Sequence, residues 1–121
     1  MYRQTGGFFM DSQKRVLNKL VRDGIPAIIA QHGGTSDTRI AIDDKEYDTL
    51  LRAKLLEEAE EIAEAVTRET LLEELADLNS VRDALCVLYD ISVEELLAQQ
   101  RKKDNENGKF EKRILLISAE N

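Results

Sequence analysis

A chain of 121 residues with 42% hydrophobic residues, few aromatic residues and no Trp has the length of one domain with a modest aliphatic core. Its formal net charge of −7 argues against a protein that wraps nucleic acid, because such a protein presents a basic face. The lone Cys86 excludes an internal disulfide, and no apolar run reaches the roughly 18 residues of a membrane span, so we expect a cytoplasmic protein.

The fold class follows from the composition of the long central segments. Runs rich in Leu, Ala, Glu and Lys, in a chain with a single Pro, predict an all-α protein. Residues 1–17 lack the long apolar region of a signal peptide, so we interpret them as an N-terminal arm. The remaining residues, 18–121, are predicted to form a single all-α domain.

Residues typical of helix caps predict the helix boundaries. Pro26 suits the first turn of a short first helix, and Gly33 and Gly34 end it before a polar loop that extends to Ile42. Three later helices are announced by capping boxes, in which Ser, Thr or Asp is followed three residues later by Glu. These boxes are Asp43 with Glu46, Thr70 with Glu73, and Ser92 with Glu95, and their helices are expected to end near Val66, Tyr89 and Glu106.

The C-terminal residues give weaker signals. Gly108 is expected to stop the fourth helix. The short apolar run from Arg113 to Ile117 is predicted to be either a strand or a tail that packs on another subunit.

The second helix carries acidic side chains on two different faces. An apolar stripe at about 100° per residue comprises Leu51, Leu55, Ala59, Ile62 and Val66. Glu58 and Glu61 border this stripe, three residues apart. Glu60 and Glu64 lie nearly opposite the stripe, where water solvates a charge. Glu58 and Glu61 are therefore the acids expected near the buried side of the helix.

The third helix presents a matching acidic pair. Glu74 and Asp77 share a face with Val81 and Ala84, where an unpartnered carboxylate is costly. A short turn near residues 67–69 makes the two helices an antiparallel hairpin, and the rise per residue brings both acidic pairs to similar heights. Because helix axes pack about 8–10 Å apart, the four carboxylates can share one or two divalent cations. Mg²⁺ is the predicted ion, with Mn²⁺ as the alternative.

The spacing of these acids is that of a known motif. The run from Lys54 to Glu61, followed by twelve residues and then by Glu74-Leu75-Ala76-Asp77, resembles the two-part acidic motif of the all-α nucleoside triphosphate pyrophosphohydrolases. MazG-like proteins and their phosphoribosyl-ATP pyrophosphohydrolase-like relatives are the most similar members. The resemblance extends from about Asn18 to Arg113, and includes the upstream run Lys19-Leu20-Val21-Arg22-Asp23-Gly24-Ile25-Pro26 and the C-terminal residues Lys103, Asn107, Phe110 and Arg113.

The resemblance implies Mg²⁺-dependent cleavage of a nucleoside triphosphate between its α and β phosphates, which gives a nucleoside monophosphate and pyrophosphate. The metal ligands it implies are Glu58, Glu61, Glu74 and Asp77. Glu57 is the first candidate for the base that takes a proton from the attacking water, and Glu58 is the second. The residues implied in substrate binding are Lys54, Lys103 and Arg113, then Lys19, Arg22 and Lys102 for the polyphosphate, and Asp23 and Asn107 for sugar or base.

Two alternatives remain open from the sequence. One is phosphoribosyl-ATP hydrolysis, and the other is a non-catalytic helical protein with a regulatory or assembly role. The only histidine, His32, cannot supply the two Glu-x-x-His pairs of a di-iron bundle, which disfavours ferritin-like chemistry. We expect a bundle built around the hairpin and completed as a homodimer or homotetramer, because one short bundle cannot cover both the third helix and the run 114–117.

Overall fold

A computed structural model describes residues 14–120, which contain four helices and no strand. The helices are α1, Ile25–Gln31, α2, Asp44–Glu64, α3, Arg68–Leu88, and α4, Val93–Asn107. The predicted all-α class is therefore confirmed. None of these helices is both long and apolar enough to cross a membrane. Most of the predicted N-terminal arm, up to residue 13, lies outside the described residues.

Two of the three predicted helix caps are confirmed. The backbone N–H of Glu46 donates to Asp43 Oδ1 over 2.8 Å, and that of Glu95 donates to Ser92 Oγ over 3.1 Å. The side chain of Glu46 accepts from the N–H of Ile42 rather than from that of Asp43, and it also forms a two-pronged ion pair with Arg39. The hydrogen bonds from Arg39 and Ile42 lower the pKa of Glu46 to about 2, so this carboxylate is ionised over the physiological range.

The predicted cap at Thr70 is wrong, because α3 begins earlier. Thr67 has extended backbone angles and is the N-cap, and its hydroxyl accepts from the N–H of Thr70 over 3.1 Å. The carbonyl of Thr67 already accepts the N–H of Leu71, which starts the helical hydrogen-bond ladder there. Thr70 therefore lies in the first turn of α3, and only three residues, 65–67, join α2 to α3.

The C-terminal boundary of α4 is as predicted. Gly108 adopts a φ of +84°, a conformation that residues with a side chain rarely adopt, and its N–H donates to the carbonyl of Asp104. Of the two alternatives predicted for residues 113–117, the strand is not formed, and the side chains from Ile114 to Ile117 are between 75% and 88% exposed.

The α2 and α3 helices form the predicted antiparallel hairpin. Within residues 14–120, these are the two helices that pack extensively against each other. Of the predicted apolar stripe on α2, Leu51 is buried and Leu55 and Ile62 are half-buried, whereas Ala59 is exposed and Val66 is 94% exposed. The buried positions that remain on the two helices are polar, namely Lys54, Glu58, Glu74 and Asp77.

The corrected start of α3 gives a stability prediction. Thr67→Ala removes the side-chain acceptor of the N-cap, so it is expected to lower the free energy of unfolding by about 1 kcal/mol. Thr70→Ala is the matched control, because it keeps the backbone N–H that Thr67 binds, and it should cost less. Urea unfolding followed by circular dichroism measures both values, and a larger loss for Thr70→Ala would contradict the assignment of the cap.

Candidate active site

The carboxylates of Glu58, Glu61 and Glu74 converge between α2 and α3, and Asp77 lies beside Glu58. Glu58 and Glu74 are completely buried, and Asp77 is 7% exposed. One carboxylate oxygen from each of Glu58, Glu61 and Glu74 lies within 4.8 Å of the others. The spacing of three residues within each pair puts both acids of a helix on the inward face, while the neighbouring Glu60 is exposed. The helical phase therefore selects which acids meet.

Burial makes this cluster electrostatically demanding. Loss of solvation raises the pKa of Glu58, and the nearby charges of Glu61 and Asp77 raise it further. Asp77 Oδ2 is buried and accepts no hydrogen bond from the described residues. Oxygen ligands of this kind, close together and shielded from water, suit a hard divalent cation, which would relieve their mutual repulsion. The donor set therefore fits Mg²⁺ or Mn²⁺.

Lysine side chains lie directly beside the carboxylate cluster. Lys54 is 7% exposed, and its Nζ lies 3.4 Å from Glu57 Oε2 and 3.9 Å from Glu58 Oε1. Burial works to lower the pKa of Lys54, but the carboxylates of Glu57 and Glu58 raise it overall, so the ammonium stays charged. Glu57 also accepts a hydrogen bond from Lys19 over 3.2 Å, and although burial opposes this, the two lysines lower its pKa.

The segment 18–23, which precedes α1, places the guanidinium of Arg22 against Asp77. Arg22 Nη2 lies 2.7 Å from Asp77 Oδ1 and 3.2 Å from Ser80 Oγ. The position of Arg22 is fixed by the start of α1, because its carbonyl accepts the N–H of Ile25. This segment thus brings two of the predicted cations, Lys19 and Arg22, onto the acidic cluster.

A cleft of about 250 Å³ is lined by residues from the segment before α1, from α2 and from α3. Its charged lining residues include Lys54, Glu58 and Asp77. Its other lining residues are largely apolar, namely Leu20, Val21, Tyr47, Leu51, Val81 and Ala84, together with Arg22, Asp23 and Ser80. A cleft whose lining combines charged groups with aromatic and aliphatic side chains suits a ligand that joins phosphates to a planar base.

Sequence reasoning missed two residues of this cleft. Tyr47 lies on the same face of α2 as Leu51, Lys54 and Glu58, at the spacing of four, three and four residues that marks one helical face. That spacing was a usable signal. Ser80 lies one turn after Asp77, and only its contact with Arg22 identifies it.

The structure separates the predicted substrate-binding residues into two groups. Lys19, Arg22, Asp23 and Lys54 lie in or beside the cleft. The C-terminal candidates are exposed and do not line it, because α4 lies apart from the acidic end of the hairpin in this protomer. These candidates are Lys102, Lys103, Asn107 and Arg113.

An all-α hairpin that buries two facing acidic pairs beside lysines defines a phosphate-anhydride hydrolase of the kind that the sequence motif resembles. A sequence model of the phosphoribosyl-ATP pyrophosphohydrolase family matches residues 33–104, more than half of the chain. The chain belongs to this family, within the MazG-like all-α nucleoside triphosphate pyrophosphohydrolase superfamily, and it is therefore a pyrophosphohydrolase. Comparison with curated proteins and with solved structures gave no significant match.

The phase of α2 predicts which acids matter for hydrolysis. Glu61→Gln is expected to lower kcat by about 100-fold or more, because it removes a charge from the cluster, while the helical circular dichroism stays unchanged. Glu60→Gln and Glu64→Gln make the same chemical change on the exposed face and should alter kcat little. Steady-state kinetics of the three variants measure the difference, and equal losses would show that the inward face is wrongly assigned.

Proposed function

We propose that the protein is a cytoplasmic, Mg²⁺-dependent nucleoside triphosphate pyrophosphohydrolase that cleaves between the α and β phosphates. The observation that carries the proposal is the convergence of Glu58, Glu61 and Glu74 from α2 and α3, with the buried Asp77 beside Glu58. Residues 18–121 are proposed as one domain, because the segment 18–23 packs on the hairpin and completes the cleft.

The proposed ion ligands are Glu58, Glu61, Glu74 and Asp77. Bound there, Mg²⁺ or Mn²⁺ would supply positive charge for the phosphate oxygens as negative charge builds on them, and would polarise the attacking water. The buried Asp77 Oδ2, which accepts no hydrogen bond from the described residues, supports this donor set.

The ion pairs of Glu57 make it a less suitable general base. Its contacts with Lys19 and Lys54 lower its pKa, and a carboxylate with a lowered pKa is a weaker proton acceptor. Glu58 is the second candidate, and it can take the proton from water only if it is not a full ligand of the ion. Glu61, Glu74 and Asp77 would then be the principal ligands.

Different residues in and beside the cleft are suited to bind the phosphates and the base or sugar of a nucleotide. Lys54 is positioned beside the cluster to neutralise the polyphosphate. Lys19 lies nearby, because Glu57 forms an ion pair with both lysines. Tyr47 offers a ring on which a base can stack, and Asp23 offers an acceptor to sugar or base.

Phosphoribosyl-ATP hydrolysis is the second candidate, and the family match favours it. A pyrophosphate-release assay on a panel of ribo- and deoxyribonucleoside triphosphates and phosphoribosyl-ATP distinguishes the two. We expect release from one or more triphosphates with Mg²⁺ or Mn²⁺, none with chelator, and none from Asp77→Asn. Release from phosphoribosyl-ATP alone would establish the second candidate, and metal-independent release would overturn the proposed metal site.

We also propose that the active form is a homodimer or homotetramer. Large apolar side chains on the hairpin remain exposed in one protomer, including Leu56, Leu72 and Val87 at 71%, 59% and 79%. A partner subunit that covers them would remove apolar surface from water, at roughly 25 cal/mol per Å². A partner could also bring the distant cations of α4 to the cleft. We expect light scattering to give at least twice the 13.7 kDa chain mass at micromolar concentration, and a fully active monomer would contradict the proposal.

A further inference from the structure

We propose that Arg22 is a positioning residue for Asp77. The guanidinium of Arg22 binds one carboxylate oxygen of Asp77 and leaves the other oxygen for the cation. This inference rests on the proposed metal site. Arg22 lies outside the residues 33–104 that the family match covers, so the match assigns it no role.

The geometry ties Arg22 to two acceptors on α3. Arg22 Nη2 donates to Asp77 Oδ1 over 2.7 Å and to Ser80 Oγ over 3.2 Å, and Ser80 lies one turn after Asp77. The Ser80 hydroxyl in turn donates to the carbonyl of Ala76 over 3.3 Å, so it is oriented to accept from the guanidinium. Arg22 thus binds α3 at two neighbouring points rather than at the carboxylate alone.

The two oxygens of Asp77 are in different environments. Oδ1 accepts the short, charge-assisted bond from Arg22, and Oδ2 is buried without a hydrogen bond from the described residues. Because the Asp77 side chain is only 10% exposed, water does not offer it an equivalent partner to Arg22. Holding Oδ1 therefore fixes the rotamer of Asp77 before any cation arrives. Partners of this kind typically contribute 10- to 100-fold to metal affinity.

Two other roles for Arg22 predict different results. If Arg22 acted only as a positive charge near the site, it would repel the cation, and its removal would tighten Mg²⁺ binding. If Arg22 served only the substrate phosphates, its removal would raise KM and leave the Mg²⁺ affinity of the nucleotide-free protein unchanged. If Arg22 is a positioning residue, its removal weakens Mg²⁺ binding, which is the opposite of the change expected from the first role.

The test compares Arg22→Gln with Arg39→Gln in the full chain without nucleotide. Both changes remove one guanidinium and one ion pair, but the Arg39 pair with Glu46 lies away from the cleft. The Mg²⁺ dissociation constant is obtained from thermal melts over a range of Mg²⁺ concentrations, with Na⁺ keeping the ionic strength constant. We expect Arg22→Gln to raise this constant 10- to 100-fold, and Arg39→Gln to leave it unchanged.

Ser80→Ala provides a second, milder variant, which removes one anchor of Arg22 without removing a charge. It is expected to weaken Mg²⁺ binding in the same direction and by a smaller factor, and it decides the question if Arg22→Gln fails to fold. Unchanged or tighter Mg²⁺ binding in Arg22→Gln would overturn the positioning role. A wild-type protein with no Mg²⁺-specific stabilisation would overturn the metal site itself, and this inference with it.

Discussion

The constraint on which the structure depends is the burial of negative charge between two helices. Glu58 and Glu74 have no exposed surface, and Asp77 has little, so their carboxylates lie where a helix hairpin usually places aliphatic side chains. Such a cluster is stable only when cations and hydrogen bonds offset the loss of water. Lys54 and Arg22 supply part of that compensation. The positions of the segment 18–23 and of the cleft follow from this requirement.

The same constraint explains the exposed apolar surface of the protomer. Because charged residues fill much of the interface between α2 and α3, aliphatic side chains such as Leu72 and Val87 are left on the outside of the hairpin. A hairpin that buries charged residues at its interface has less hydrophobic burial to stabilise the isolated chain. The proposed homo-oligomer would recover that burial between subunits.

The local rules that could be read from the chain succeeded where one residue and its near neighbours decide the outcome. Asp43, Ser92 and Gly108 mark their helix ends through their own side chain or backbone freedom. The period of the helix likewise put Glu58 and Glu61 on one face and Glu60 on another. Local rules failed at Thr70, because Thr67, three residues earlier, offers an equivalent capping side chain. Thr67 has the extended backbone angles of an N-cap, so the helix begins after it.

The sequence by itself determined the all-α class, the hairpin and the spacing of its acidic pairs, because these depend on helical period and on capping. Only the tertiary structure decided that Lys54 and Glu58 are buried on α2 together with Leu51, while Ala59 and Val66 of the expected stripe are exposed. Only the tertiary structure joined Arg22 to Asp77 and Ser80 and brought Tyr47 to the cleft. The physical reason is that contacts between distant residues depend on how helices rotate and pack against each other, and a local pattern does not specify that rotation.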